Sequence, residues 1–565
     1  MVNRRRFAPP PLPILLWLVG GGFVAALVWH GLQASDLLSQ RLSVLPQHPL
    51  LQVYMNHNPV NRYREPYRPQ TRAGDNLEQI IADRIGQTRS RVDVAVQELR
   101  SPLIAQALRD RQRAGVRVRL IIENTYNRPW SSVTPAEAQQ LDARMQGRYR
   151  ENSRLIDRNG DGQLSSDEIN NNDALVVIQR AGIPWLDDTS DRWAGSGLMH
   201  HKFVVLDGQQ VIVTSANFTM SDFHGDFSPK ASLGNANSLV LIQSPAIARL
   251  FTEEFNLMWG DGPGGKSDSR FGVKKPFRPA ETVQVGDATV RVKFSPTPAE
   301  VPWEFSSNGL IGQTLSQGRK SIDLALFVFS DQQIADRLET AQQQGAAIRV
   351  LIEPTFAFQY YSEALDLLGI TLPNRSKDPH PCGTEAQNHP WSHPIQTVGS
   401  PQLPPGDLLH HKFGVVDRHT VIMGSHNWTE AADHNNDETV LVIAHPTVAA
   451  HYEREYDRLW ANSRLGLPDR IRETAQKTQA NCATVAATAT PSSVASGPSP
   501  STAAKLNLNT ATLAELEQLP GVGPTLAQRM IEARQQQPFR SLADLDRVPG
   551  VGPKLLQELG DRVTW

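Results

Sequence analysis

Cysteine is scarce in this sequence: Cys382 and Cys482 are the only two among 565 residues. Two cysteines exclude a framework of several disulfides, although these two could still pair in an oxidising compartment. An excess of one charge sign is missing as well, because 56 Lys and Arg stand against 58 Asp and Glu, for a net charge of -2. This balance excludes binding to a polyanion through overall charge, so any nucleic-acid binding must be local.

The N-terminus has the composition of a membrane anchor. Arg4, Arg5 and Arg6 precede an apolar stretch over residues 9–33, about the length needed to span a bilayer. Small residues at cleavage spacing are poorly placed near 32–34, which favours an uncleaved signal-anchor over a cleaved signal peptide. Under the positive-inside rule, either segment predicts that the rest of the chain is extracytoplasmic, in a periplasmic or extracellular space.

One phrase is written twice. Residues 199–207 read MHHKFVVLD and residues 409–417 read LHHKFGVVD, and each is followed by a small-polar turn that ends in Asn217 or Asn427. Strand–helix–strand patterns precede both copies, beginning at residues 91–96 and 321–326, with a glycine after each helix. The repetition predicts two α/β repeats of the same layout.

The remaining composition sets the predicted domain boundaries. Residues 483–504 lack aromatic and charged side chains, so they cannot form a core. The predicted order is a transmembrane segment, repeat 1, a linker, repeat 2, a disordered linker and a small helical module, at 9–33, 51–262, 263–286, 287–464, 465–504 and 505–565. The fold class is therefore α/β: two tandem repeats form one pseudo-symmetric catalytic unit, with an added all-α domain and an N-terminal transmembrane helix.

The repeated His-x-Lys suits a phosphodiester. Alternate strand residues share a face, so His200 emerges with Lys202, and His410 with Lys412. Lysine binds a phosphate oxygen, and the turn asparagines, Asn217 and Asn427, donate to the same anion. One histidine attacks phosphorus while the other protonates the leaving oxygen, and water then releases the phospho-histidine. Lysines and asparagines already neutralise the phosphate, so no catalytic cofactor is expected.

These residues resemble the signature of the phospholipase D superfamily, His-x-Lys-x4-Asp followed by Gly-Ser-x-Asn. Asp207 and Asp417 complete that signature and join the candidate catalytic set, although Asp is also a common turn residue. The second copy fits fully, including Glu438 where the family places a carboxylate that orients the catalytic histidine. The first copy departs at Thr214 and Asn237.

The resemblance implies a division of roles between the two histidines. In two-repeat relatives the N-terminal histidine is usually the nucleophile, which assigns that role to His200 and the acid role to His410. Because only one copy has the orienting carboxylate, the two imidazoles are expected to differ in pKa.

A calcium-binding pattern lies inside repeat 1. Residues 157–168 read DRNGDGQLSSDE and match the EF-hand loop, with glycine at its sixth position. The predicted ligands are Asp157, Asn159, Asp161, Gln163 through its backbone carbonyl, Ser165 and Glu168. An acidic, Gly-rich surface turn is the plainer alternative. A calcium ion held here is expected to be structural.

The C-terminal module contains a second repeated phrase. Leu-Pro-Gly-Val-Gly-Pro at 519–524 recurs as Val-Pro-Gly-Val-Gly-Pro at 548–553, each between helical stretches. Such turns expose backbone N–H groups to a phosphate without reading sequence. The module resembles the double helix-hairpin-helix domain of competence-type DNA receptors; a protein-interaction module is the alternative. The candidate DNA-binding residues are Gly521, Val522, Gly523, Gly550, Val551, Gly552 and Lys554.

Three functions remain open on this sequence. The favoured one is a membrane-anchored, extracytoplasmic phosphodiesterase that cleaves DNA, because the hairpin module would hold the polymer near the site. The same catalytic residues serve a phospholipase D or phosphatidyl transferase that acts on phospholipid. A surface DNA-binding or uptake protein with weak or lost catalysis is the third. Strandedness of the polymer, endo or exo mode and oligomeric state are not encoded in these patterns.

Overall fold

The computed structural model describes residues 43–192, 197–373 and 387–477, and those parts of 505–565 that lie outside 517–518, 520–521, 523, 542–543, 546–547, 549–550, 552–558 and 560–561. The chain divides into two compact units, residues 1–484 and 485–565. The predicted anchor at 9–33, both cysteines and residues 478–504 of the predicted linker lie outside the described residues. Within the described part, no helix is both long and apolar enough to cross a bilayer.

Repeat 1 is built on a seven-stranded mixed sheet. Its strands, in spatial order, are Leu51–Met55, Ser238–Gln243, Gln210–Thr214, Lys202–Leu206, Arg91–Val96, Arg117–Ile122 and Trp185–Asp187. The last three strands are parallel to one another, whereas each of the others pairs antiparallel with its neighbours. The Lys202–Leu206 strand lies at the centre and is buried at every position, because apolar side chains occupy both of its faces.

Repeat 2 is built on a nine-stranded sheet with the same central order. Its strands, in spatial order, are Glu281–Val285, Ala288–Ser295, Glu438–Ala444, Thr420–Gly424, Lys412–Val416, Ser321–Leu326, Ala347–Ile352, Val398–Pro401 and Ser463–Leu465. The parallel pairs again follow the predicted strand–helix–strand unit. The expectation of two α/β repeats with one layout is therefore confirmed.

Helices cover the sheets on both sides. In the larger unit they are Leu77–Gly86, Pro102–Arg113, Pro135–Gln140, Ala143–Ile156, Ser166–Asn172, Ala174–Arg180, Met220–Phe223, Pro245–Trp259, Ser307–Leu315, Gln332–Gln343, Pro354–Ala357, Glu363–Leu367, Glu430–His434 and Pro446–Ala461. The crossover helices begin at capping side chains, Ser101 and Asp331, and end before Gly115 and Gly345. Both glycines have positive φ, of 84° and 96°, a conformation that ends helices and favours glycine.

The two repeats share a hydrophobic core. One buried cluster takes residues from both sheets, including Phe203 of repeat 1 and Phe413 of repeat 2. Phe203 packs edge-on against Phe251 at 5.0 Å, and Phe413 does the same against Tyr452 at 5.0 Å. Two further clusters lie within single repeats. Because neither inner face could be buried alone, the repeats form one unit rather than two independent domains.

The predicted linker at 263–286 is partly structured. Glu281–Val285 is an edge strand of the second sheet, because its alternating residues pair with Ala288–Ser295 across a two-residue turn. Lys275 is buried and forms ion pairs with Glu254 of repeat 1 at 2.5 Å and with Asp437 of repeat 2 at 2.6 Å. This segment therefore joins the repeats through specific contacts.

The C-terminal unit is small and mainly helical, with described helices Leu513–Leu516 and Pro524–Gln536. A two-residue parallel pairing of Leu506–Asn507 with Val563–Thr564 ties its ends together. Its core contains apolar residues from both hairpin phrases, among them Val522 and Val551.

Candidate active site

The central strand of each sheet carries the His-Lys pair to the same junction. His200 and Lys202 stand at the start of the Lys202–Leu206 strand, and His410 and Lys412 at the start of Lys412–Val416. All four side chains are buried. Each lysine Nζ donates to the backbone carbonyl two residues earlier, at 2.8 Å for Lys202 and 2.7 Å for Lys412. The two copies therefore have matching local geometry.

Backbone bridges join the two copies across the repeat boundary. Met199 pairs with Asp437, and Ala236 pairs with Leu409, both in parallel sense. The His200 N–H donates to the Asp437 carbonyl at 3.0 Å. The segment that precedes each catalytic histidine is thus held by the other repeat.

As a result, each histidine is oriented by a residue of the opposite repeat. His200 Nδ1 lies 2.8 Å from the Glu438 carboxylate, and His410 Nδ1 lies 3.0 Å from the Asn237 side-chain oxygen. Glu438 and Asn237 occupy equivalent positions, since each accepts a hydrogen bond from the turn serine of its own repeat, Ser425 or Ser215. The complete second motif therefore supplies its carboxylate to the first histidine, which sequence alignment alone does not reveal.

The sequence reading missed a buried carboxylate beside His410. Asp222 lies 3.5 Å from His410 Nδ1, and it accepts a hydrogen bond from the Asn237 amide at 3.1 Å. That bond turns the Asn237 oxygen towards His410, so amide and carboxylate together replace the missing glutamate. Asp222 follows Thr219 by three residues, and Ala432 stands at the same distance from Thr429 in repeat 2. Comparing the two turns position by position would have found it.

The cationic groups are strongly perturbed by their surroundings. Burial lowers the pKa of Lys202 to about 8, although Glu438 and Asp222 act to raise it. Burial also lowers the pKa of Lys412 well below its ordinary value, and the charge of Lys202 adds to that effect. Because the charge of Lys202 acts on Lys412, the two ammonium groups lie near each other, as a shared anion site requires.

Both histidines are shifted in the same direction. Burial lowers the pKa of His200 and of His410 well below the ordinary value, and Lys202 and Lys412 lower both further. In the free protein both imidazoles are therefore neutral at pH 7. The expected difference in pKa between the two imidazoles is not seen, since both pKa values are lowered. Their partners do differ: the carboxylate of Glu438 serves His200, and the amide of Asn237 serves His410.

The two turns differ because their backbones differ. A Cβ on Gly424 would lie 2.0 Å from the Thr439 carbonyl, so only glycine fits there. In repeat 1, Thr214 instead donates to the equivalent Ser238 carbonyl at 2.6 Å. The turns end at Asn217 and Asn427, whose side chains are half-buried. In both, the Oδ1 atom is buried and has no hydrogen-bond partner among the described residues.

Asp207 and Asp417 lie outside the site. Each stands at the opposite end of its strand from the histidine, with φ of 53° and 52°. Asp207 accepts N–H donors from Arg89, Ser90 and Arg91, as Asp417 does from the three equivalent residues of repeat 2. Their grouping with the catalytic residues is therefore corrected, because a five-residue strand separates them from the histidines. Each aspartate instead accepts the backbone N–H groups at the start of a neighbouring strand and holds that strand end in place.

The second histidine of each phrase faces the other way. His201 Nε2 lies 2.9 Å from Glu254, and His411 Nε2 lies 2.9 Å from Glu455. Both glutamates come from helices that cover the shared core, and both histidines are fully buried. These pairs anchor a helix to the sheet beneath the site.

The predicted calcium loop lies between the helices Ala143–Ile156 and Ser166–Asn172. Gly160 and Gly162 have positive φ, and Asp157 accepts both of their N–H groups at 2.7 and 2.9 Å. Glu168 points back across the loop and accepts from the Asn159 N–H at 3.2 Å. The remaining predicted ligands, Asn159, Asp161, Gln163 and Ser165, are exposed along the same turn.

Of the predicted DNA-binding residues, only Val522 and Val551 are described. Both are buried, and their N–H groups close the same turn in the two phrases, to Leu519 at 3.1 Å and to Val548 at 3.0 Å. Their side chains therefore support the hairpins from inside. Gly521, Gly523, Gly550, Gly552 and Lys554 lie outside the described residues.

One further cluster brings potential metal ligands together in the described part of the chain: His48, Asp287 and His445, whose ligand atoms lie within 4.8 Å of one another. Both imidazoles accept a backbone N–H at Nδ1, from Leu50 at 3.2 Å and from Thr447 at 3.1 Å. Each must therefore carry its proton on Nε2, which donates to Asp287. In this tautomer the cluster is a hydrogen-bonded clamp between the repeats rather than a prepared metal site.

Two α/β repeats, each contributing a His-Lys pair to one composite anion site, define the class of this protein. A family model described as "Cardiolipin synthase, PLD-like domain" matches residues 81–259 and 311–460, more than half of the chain. The chain belongs to this phospholipase D-like family, whose members typically need no cofactor for catalysis. A model described as "Helix-hairpin-helix motif" matches residues 501–564.

Curated relatives match only part of their own length. Mouse mitochondrial cardiolipin hydrolase is 28% identical over 163 residues, which are 29% of this chain and 62% of the relative. The human protein of the same name is also 28% identical over 163 residues, covering 54% of that protein. A phospholipase D of Rickettsia felis is 28% identical over 142 residues, 25% of this chain and 58% of the relative.

Two solved structures show partial likeness. Nuc of Salmonella typhimurium, a phospholipase D family member, is 21% identical, with a TM-score of 0.24, and covers 32% of this chain and 100% of its own. Phosphatidylserine synthase of Haemophilus influenzae is 12% identical, with a TM-score of 0.45, and covers 80% of this chain and 99% of its own. At these TM-scores neither likeness supports an inference about this chain.

Proposed function

We propose that this protein hydrolyses phosphodiester bonds of DNA through a covalent phospho-histidine at His200. The observation that carries the chemistry is the cross-repeat contact of His200 Nδ1 with Glu438 at 2.8 Å. When Nδ1–H donates to the carboxylate, the imidazole keeps the lone pair of Nε2 for attack, and the carboxylate stabilises the charge that develops on the ring.

The proposed reaction proceeds in two displacements. His200 Nε2 attacks phosphorus, the bond from phosphorus to the leaving oxygen breaks, and protonated His410 gives its proton to that oxygen. A water molecule then attacks phosphorus while His410 takes a proton from the water, and the P–N bond breaks to release His200. Lys202 and Lys412 hold the non-bridging oxygens throughout. The diester anion provides the negative charge that favours protonation of His410, which is neutral in the free protein.

The choice of DNA is supported by the C-terminal helix-hairpin-helix match at 501–564. A module that binds phosphates without reading sequence raises the local concentration of polymer beside the site. Its charge is balanced, so its affinity is expected to be modest and salt-sensitive.

Phospholipid is the second candidate substrate, and the relatives favour it by name. The matching family model is described as a cardiolipin synthase domain, and curated relatives are named cardiolipin hydrolases. The third possibility is a DNA-binding protein with decayed catalysis. Against it, both histidines have buried polar partners despite the departures in repeat 1.

One experiment separates these functions. Purified residues 34–565 are incubated with plasmid, single-stranded DNA and cardiolipin or phosphatidylcholine vesicles, and acid-soluble nucleotide, choline and phosphatidate are measured. The proposal expects nucleotide release that His200→Ala and His410→Ala abolish. Removal of residues 505–565 is expected to raise the KM for DNA while a small diester is still hydrolysed. Lipid turnover alone would refute the nuclease.

The sequence also leads us to propose an extracytoplasmic location, anchored through residues 9–33, and a structural calcium ion at 157–168. Protease accessibility in intact cells and spheroplasts tests the location. Retention in the membrane fraction, lost on removal of residues 1–33, tests the anchor.

A further inference from the structure

The surface next to the anion site differs in chemistry between the two repeats. Gln97 and Phe327 are equivalent, since each follows the central parallel strand and donates its N–H to the carbonyl of the inner histidine, His201 or His411. In repeat 1, Gln97 contacts Lys202 at 3.3 Å. In repeat 2, Lys412 Nζ lies 4.8 Å from the centre of the Phe327 ring.

The two repeats also differ at the turns beside Gln97 and Phe327, which lie further from the histidines. Glu123 and Glu353 are equivalent buried residues that begin short helical turns by accepting from the threonine two residues later. The residue after that threonine is Tyr126 in repeat 1 and Phe356 in repeat 2. The Glu123 N–H donates to the Gln97 carbonyl at 3.2 Å, and the Glu353 N–H donates to the Leu326 carbonyl at 3.0 Å, so the two turns lie beside Gln97 and Phe327. We call the surfaces that begin at these turns the repeat 1 wall and the repeat 2 wall.

On the repeat 2 wall the aromatic rings form a row. The Phe327 ring lies 5.0 Å from the His410 ring and 4.9 Å from the Phe356 ring, edge-to-face in both cases. Phe327 and Phe356 are half-buried, so they keep accessible surface. An apolar, aromatic surface thus begins at the proposed acid and runs outward.

On the repeat 1 wall the corresponding position is surrounded by arginines. The Arg148 guanidinium lies 5.2 Å from the centre of the Tyr126 ring. Arg148 shares the buried Glu98 with Arg100, so two positive charges stand against one negative charge. Arg144 is exposed and lies one helical turn before Arg148 on the helix Ala143–Ile156, so the two arginines share one face of that helix.

We propose that this asymmetry selects single-stranded nucleic acid, with an unpaired base stacked on Phe356, the outer ring of the row, and the neighbouring phosphate held by Arg144 and Arg148. The inference rests on the proposed nuclease function and specifies its substrate. A nucleic-acid strand alternates flat bases with anionic phosphates, which matches one aromatic and one cationic wall around a phosphate site. A duplex hides its base faces in the stack, so it cannot use the ring row.

The test uses the chain from residue 34 onward with 5′-labelled 20-mers: a single strand, the same strand in a duplex, and single strands with one abasic position. Stacking of a base on an aromatic ring corresponds to about 5- to 150-fold in rate or affinity. The single strand is therefore expected to be cut faster than the duplex by a factor in that range. An abasic position next to the cleaved bond is expected to cost a similar factor.

Variants separate stacking from general hydrophobicity. Phe356→Leu is expected to lower the ratio of single-strand cleavage to hydrolysis of methyl p-nitrophenyl phosphate, whereas Phe356→Trp restores it. In Phe356→Leu the abasic penalty should also shrink, because the ring that the base contacts is gone. Equal DNA cleavage by the Leu variant and the wild type would overturn the stacking role.

The cationic wall is tested by Arg144→Glu. It is expected to raise the KM for the single strand and to reduce the slope of log affinity against log salt by about 1. Arg113→Glu is the matched control, because Arg113 is exposed in the last turn of the helix Pro102–Arg113, whose first turn follows Gln97, the residue that contacts Lys202. Equal effects of the two reversals, or a duplex cut as fast as the single strand, would overturn the inference while leaving a nuclease. Turnover of phospholipid alone would instead overturn the nuclease itself.

Discussion

Glu438→Gln gives the sharpest test of the cross-repeat site. The glutamate is fully buried and lies 2.8 Å from His200 Nδ1, and the glutamine keeps its size and can still accept a hydrogen bond. What is lost is the negative charge opposite the developing imidazolium. A hydrogen bond to a charged group contributes about 1.5–3 kcal/mol, so the first displacement should slow by about 10- to 150-fold.

The assay distinguishes which histidine has been weakened. Thymidine 5′-(p-nitrophenyl phosphate) has a leaving group that needs little proton transfer, whereas a thymidine dinucleotide needs a general acid. Stopped-flow measurement of the p-nitrophenol burst isolates the first displacement. If Glu438 supports the nucleophile His200, Glu438→Gln slows both substrates by the same factor. Asn237→Ala, which weakens the support of His410, should slow the dinucleotide about 2- to 13-fold more than the nitrophenyl ester, as expected for a neutral hydrogen bond.

The opposite pattern would refute the reasoning. If Glu438→Gln slowed only the dinucleotide, then Glu438 would act on the acid, and either the cross-repeat contact or the roles of the histidines would be wrong. Glu430→Gln, at an exposed position of the Glu430–His434 helix, is the matched control. Thermal melting of each variant separates a change in chemistry from a loss of fold.

Three other predictions concern the pH dependence of kcat/KM, the aspartates Asp207 and Asp417 at the strand ends, and calcium. Because burial lowers the pKa of Lys202 to about 8, the anion site loses a positive charge as pH rises through that value, and kcat/KM should fall there; a flat profile to pH 10 would contradict it. Burial acts to raise the pKa of Asp207, but the N–H donors of Arg91 and Ser90 hold it below its ordinary value. Because both aspartates are only half-buried, Asp207→Asn should destabilise the fold by about 0.5–1.5 kcal/mol in urea unfolding above pH 4 without selective loss of kcat, and Asp417→Asn should match it. Added calcium should raise the melting temperature of the wild type but not of Glu168→Gln, and a chelator should leave the chemical step unchanged; a chelator-sensitive burst would make the ion catalytic.

Local patterns were sufficient for the repeats and for much of the site. These include the two copies of His-x-Lys, the apolar strands before them and the glycines after the crossover helices. Each acts through residues that are neighbours in the sequence, so its structural role can be predicted from the sequence. The prediction for 263–286 was less accurate, because a stretch rich in Gly, Pro and Lys also contained an alternating edge strand. Lys275 gave no local signal, since its partners Glu254 and Asp437 come from different repeats.

The sequence by itself determined the family and the candidate residues: two His-Lys-Asn sets in one chain, of the residue types that suit a phosphodiester. Only the tertiary structure decided which partner serves which histidine, because Glu438 is distant from His200 along the chain and reaches it through the bridge between Met199 and Asp437. The same packing brings Asp222 beside His410 and sends Asp207 to the far end of its strand. Residue type and spacing specify what each group can do, whereas the shared core, which buries the inner faces of both sheets together, fixes what each group touches.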